Sequence, residues 1–174
     1  MRETVVLIIG GIVAFVLQSV LAPNIAVLGA MPNFALAFVA TAAMLRTSDS
    51  IVVIAFVLGL ASDLSTGGTV GVMAALLTLA AFIASRAASL FGNETVTVSL
   101  AISMATSLIV EAIYAFFYIA TAGVPAMDAL LLRALPCALY DCAVVLIIMP
   151  LMSHLLARSA PSHTAPTSST VRLR

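Results

Sequence analysis

Glu111 is the side chain with the most chemical potential in this 174-residue chain. It stands inside a long apolar stretch, and at steps of three and four residues it aligns with Ser99, Ser103, Ser107, Tyr114 and Tyr118. That spacing puts all six on one face of a helix. An ionised carboxylate in hydrocarbon costs roughly 3 kcal/mol or more and normally turns inward toward a partner. The stripe is therefore expected to face a bundle interior, a cavity or a partner surface. Two roles stay open for it. The serines bond their own backbone and Glu111 is a neutral, hydrogen-bonded core group, or Glu111 is a contact point for a partner or ligand.

Three other charged residues belong to the same question. Asp141 lies about two turns into a later apolar stretch, Arg133 just before that stretch, and Asp63 at the end of an earlier one. With helices that alternate in direction, all four come to the same half of the bundle, where charges in a low dielectric need pairing. Asp63, Glu111, Tyr114, Arg133 and Asp141 are thus the candidate contact residues. Asp63 has a structural alternative. It precedes Gly67, Gly68 and Gly71, which suits a tight turn with its carboxylate capping the next backbone N–H groups.

Other chemistries find no support. His154 and His163 have no second ligand at metal spacing. No nucleophile elbow is present. The glycines after Asp63 lack the strand, helix and Lys of a phosphate loop. No catalytic residue, metal or cofactor is expected. The chain has no Lys and a formal net charge of +0, which leaves no basic patch for nucleic acid. Cys137 and Cys142 point to different faces of one helix, a poor geometry for a disulfide.

The elements that position these residues follow from composition. Hydrophobic residues make up 63% of the chain and charged residues 8%, against about half and a quarter in soluble domains. The apolar excess implies lipid, and an all-α integral membrane protein. Six apolar stretches are separable, at residues 4–21, 33–45, 50–62, 69–84, 96–121 and 135–157. The expected architecture is one six-helix transmembrane domain over 1–157, followed by a disordered cytoplasmic tail, 158–174, rich in Ser, Thr and Pro. The first stretch is expected to be a retained helix, because a cut after Ala22 would fall at Pro23. Pro32 suits a first helical turn, Ser48 or Asp49 a cap on the third helix, and Pro150 a kink in the sixth. Stretches two and three are short, so a re-entrant hairpin stays open beside two crossings. Ala35, Ala37, Ala40 and Ala43, and Gly10 with Ala14, suit close helix contact in lipid. With six crossings and both ends cytoplasmic, six of the seven arginines (all but Arg133) lie inside, as positive-inside bias requires.

Several segments resemble the MreD family of rod-shape-determining membrane proteins. They are Leu17-Gln18, Pro32-Asn33-Phe34, the run from Ala55 through Gly59-Leu60-Ala61-Ser62-Asp63 with Gly71 beyond it, and Pro136-Cys137-Ala138-Leu139-Tyr140-Asp141. The resemblance extends from the first helix to about residue 157. It implies a non-enzymatic scaffold of the bacterial elongation machinery in the inner membrane. Such a scaffold works with an MreC-like protein and with MreB, RodZ, RodA and a penicillin-binding transpeptidase, and helps position peptidoglycan synthesis. The family is also similar in helix count to the substrate-binding subunits of energy-coupling-factor transporters, which implies vitamin-like ligand binding as an alternative. The absence of Trp is a departure that weakens a stacking pocket. A channel or proton-coupled transporter is a third reading, motivated by Glu111 and Asp141.

Overall fold

The computed structural model describes residues 2–26, 30–46, 49–66, 69–92, 95–122 and 135–159. The expectations for Ser48, Arg133, Gly67, Gly68 and most of the tail fall outside these residues. Six helices form. α1 (Arg2–Val16) continues through a π turn (Leu17–Leu21) into a 3₁₀ turn (Ala22–Ile25). α2 (Phe34–Leu45), α3 (Asp49–Thr66), α4 (Val72–Phe91), α5 (Val96–Ala122) and α6 (Leu135–Ser159) follow.

The boundaries shift where local chemistry decides them. α3 runs on past Asp63 to Thr66, and within it Ser62, Ser65 and Thr66 each donate a hydroxyl to a carbonyl one turn back. α4 starts after Gly71, whose φ of 100° is a left-handed conformation that only glycine adopts at little cost. It extends beyond the expected 84 to Phe91, and Arg86 is accommodated over the Phe82 ring at 5.4 Å. α6 passes through Pro150 without a break in the helix.

α2 is the axis of the bundle. Every residue from Phe34 to Met44 is buried, and the helix touches all five others. A helix that is apolar all round has to be enclosed, and its alanines let neighbours approach closely. α4 supplies a matching small-residue face, with Ala74, Ala80, Ala81, Ala84 and Ala88 buried. Among the described residues, four helices are long and apolar enough to cross a membrane: Glu3–Ile25, Val72–Phe91, Val96–Phe117 and Leu135–Leu156. α2, at ~18 Å by its rise per residue, is shorter than a bilayer core and is shielded from lipid by the others.

Contacts between named residues set the direction of each helix. Arg46 at the end of α2 pairs with Glu3 in the first turn of α1, at 3.2 Å. At the opposite end, Gln18 of α1, Asn33 before α2, Asp63 of α3, Val72 of α4 and Tyr114 of α5 line a common cavity. Asn33 also binds Asp141 near the start of α6. Successive helices therefore alternate in direction. α2 thus ends beside the residues at which α1 begins.

Candidate functional site

The polar end of the bundle is built on one short segment of α3. Gly59 faces the start of α4 so closely that a Cβ there would lie 2.6 Å from the Met73 carbonyl oxygen and 2.7 Å from the Ala74 nitrogen. The absent side chain lets the two backbones meet. One turn later, the Asp63 carboxylate reaches the unpaired N–H groups that open α4. Oδ2 accepts from Gly71 at 2.8 Å and Ala74 at 3.2 Å, and Met73 N–H is shared between the two oxygens at 3.1 Å. An anion on a helix N-terminus meets both the orphan donors and the dipole. Gly-Leu-x-x-Asp is thus a clamp: glycine permits the approach and aspartate closes it. Replacing Asp63 with Ala is expected to cost about 1–2 kcal/mol, the range of a lost cap. Thermal unfolding in detergent measures this, and a wild-type midpoint for Asp63→Ala would remove the capping role.

A second tie joins α2 to α6. Asn33 caps α2 through its side-chain oxygen, which accepts from Leu36 N–H at 3.0 Å, and its own N–H donates to Asp141 Oδ1 at 2.7 Å. Asp141 is completely buried, with Ser107 and Glu111 of α5 facing its carboxyl group. Its Oδ2 accepts no hydrogen bond among the described residues. The neighbouring Tyr140 hydroxyl donates to the Ile25 carbonyl at 3.0 Å, which holds the end of α1 against α6.

Two adjoining cavities open between these ties. The larger, about 300 Å³, is walled by Gln18, Asn33, Asp63, Thr66, Tyr114 and Phe117 among others. The smaller, about 160 Å³, shares Gln18, Asn33, Thr66 and Tyr114 and adds Glu111 and Cys137. Among the described residues, no group of three or more His, Cys, Asp or Glu side chains could hold a metal ion.

The candidate residues thus divide. Glu111 and Tyr114 open onto the cavities, with Asp63 in the wall of the larger one and Asp141 behind Glu111. Arg133 lies outside the described residues. Ser99, Ser103, Ser107 and Glu111 are all buried, so the stripe on α5 faces inward. Tyr118 falls outside the described side chains. Residue-by-residue reading missed the roles of Gln18 and Asn33. Gln18 is the polar interruption of an apolar helix and sits in the π turn, a distortion frequent at functional sites. The signal for Asn33 was its place after Pro32, which marks a cap but not a bond to a residue 108 positions away.

Fold and site together define a multi-helix integral membrane protein with a polar cavity at one end of a closed apolar bundle. The family profile described as rod shape-determining protein MreD matches residues 1–159. The chain belongs to the MreD family, and its role is in determining rod shape. Comparison with curated proteins and with solved structures returned no match.

Proposed function

We propose that this chain is a non-enzymatic scaffold of the elongation machinery in the bacterial inner membrane. It binds an MreC-like partner and helps position peptidoglycan synthesis, within an assembly that includes MreB, RodZ, RodA and a penicillin-binding transpeptidase. Family membership over residues 1–159 carries the reading. The bundle supports it in two ways. Its long apolar outer faces suit contact with other membrane helices. Some of its polar groups hold the helices together, as the Asp63 clamp and the Asn33–Asp141 bond do. In the proposed orientation both termini are cytoplasmic. Arg46 and Arg86 then lie at the cytoplasmic end, which agrees with positive-inside bias, and the cavity faces outward. Of the proposed contact residues, Glu111 and Tyr114 are reached through the cavity and Asp63 and Asp141 tie the helices around it; Arg133 lies outside the described residues.

The test is depletion together with affinity purification from a rod-shaped host. Co-purification of an MreC-like protein and rounding of depleted cells are the expected results. Unchanged cell shape and wall incorporation after depletion would sink the proposal. The cavity of about 300 Å³ favours a second reading, a small-molecule-binding subunit. That reading requires a tightly held ligand and co-purifying ATPases, and their joint absence counts against it.

A further inference from the structure

The larger cavity does not stand alone. Between α1 and α3 an apolar groove of about 380 Å³ runs along Ile8, Gly11 and Phe15 on one side and Ile54, Leu58 and Ala61 on the other. Its lining residues are succeeded along both helices by those of the cavity. On α3, Leu58 of the groove is followed at four-residue steps by Ser62 and Thr66 of the cavity; on α1, Phe15 is followed by Gln18. The groove from Ile8 to the level of Gln18 spans ~15 Å along α1. An apolar channel that ends on a polar chamber fits an amphiphile, with the chain in the groove and the head in the chamber.

The chamber wall next to the groove specifies the head. Ser62 spends its hydroxyl proton on the Leu58 carbonyl at 2.9 Å, and Thr66 spends its proton on the Ser62 carbonyl at 3.0 Å. Both therefore turn lone pairs toward the space. Gln18 Oε1 is buried and has no hydrogen-bond partner among the described residues, and Asp63 adds a carboxylate. A wall of acceptors calls for a head that donates. The Asp63 carboxylate in the same wall disfavours a net anion. Asn33, whose side-chain oxygen is engaged by Leu36 N–H, keeps its amide nitrogen as a donor for a phosphodiester.

We propose that the α1–α3 groove and the adjoining chamber bind a zwitterionic bilayer phospholipid with a primary-ammonium head, its three N–H groups donating to the Gln18, Ser62 and Thr66 oxygens. A partner helix is the competing occupant. A helix is about 10 Å wide, and it would bridge the rims of the groove without filling the polar chamber.

Native mass spectrometry of the full chain tests this, after equilibration with equimolar dioleoyl phosphatidylethanolamine, phosphatidylcholine and phosphatidylglycerol. Methylation removes the ammonium donors, and one charge-assisted hydrogen bond corresponds to about a tenfold preference. Phosphatidylethanolamine is expected to be retained about tenfold over phosphatidylcholine, and over phosphatidylglycerol. Ala61→Phe, which fills the groove beside the chamber, should lower retention of lipid, and Gln18→Leu should shrink the head-group preference. Equal retention of the three lipids, a preference for phosphatidylglycerol, or unchanged retention in Ala61→Phe would overturn the proposal. So would photocrosslinking from position 57 that captures a partner helix while no lipid is retained. None of these readouts depends on MreC-like binding, so this proposal and the scaffold reading fail separately.

Discussion

Gly59→Ala is expected to destabilise the bundle by about 2 kcal/mol, although alanine is the better helix former. The added methyl would meet backbone rather than a movable side chain, with the Met73 carbonyl oxygen at 2.6 Å and the Ala74 nitrogen at 2.7 Å. Backbone cannot rotate away, so α3 and α4 have to separate. Overpacking of this kind costs ~1–3 kcal/mol, occasionally more, and the gain in helix propensity returns at most about 1. Separation has a further effect. The Asp63 carboxylate sits one turn from Gly59 and reaches three backbone N–H groups of α4 at 2.8–3.2 Å. Moving α4 outward lengthens all of these bonds together. The two sites are therefore coupled, and Asp63→Ala should cost less in a Gly59→Ala background than alone. Unfolding midpoints of the four variants in one detergent measure both effects. A Gly59→Ala protein as stable as the parent, or additive losses, would show that the clamp does not operate.

Asp141→Ala carries the second large effect, about 1–3 kcal/mol. Its Oδ1 is the acceptor for Asn33 N–H at 2.7 Å, in a fully buried setting. Removal leaves a backbone donor without a partner and out of reach of bulk water, which costs about 1–3 kcal/mol. Asp141→Asn keeps an oxygen in place and should retain most of the stability. The contrast between the two variants separates hydrogen bonding from charge. If Asn were as damaging as Ala, a negative charge beside Ser107 and Glu111 would be the essential property instead. Loss at this site should also loosen α2 at its Asn33 cap, so faster hydrogen exchange at Leu36 and Ala37 is the local signature to measure.

Much of the architecture is legible in local sequence because its cause is local. Apolar runs, four of them of spanning length, broken by Gly, Pro and charged residues, mark six helices. The three- and four-residue steps of Ser99, Ser103, Ser107 and Glu111 mark an inward face, and these residues are buried. The capping role of Asp63 is legible for the same reason, since its partners lie only 8 to 11 residues away. Helix ends were less legible. α4 continues to Phe91, because nothing after Ala84 opposes a helix until Gly92.

Sequence by itself thus determines that this chain is a helical membrane protein, which faces of its helices are polar, and that Gly59 and Asp63 belong to one turn of structure. Tertiary structure alone decides that the shortest apolar helix, α2, is the buried axis. It also brings Asn33 to Asp141 across 108 residues and Glu111 to the cavity shared by Gln18 and Tyr114. The physical reason is the range of the interactions. Periodicity, capping and lipid preference act within a few residues. Enclosure of an all-apolar helix, and the meeting of buried polar groups in a low dielectric, depend on which helices become neighbours. Glu111, conspicuous by its cost in lipid, has its setting explained by residues that no local pattern connects to it.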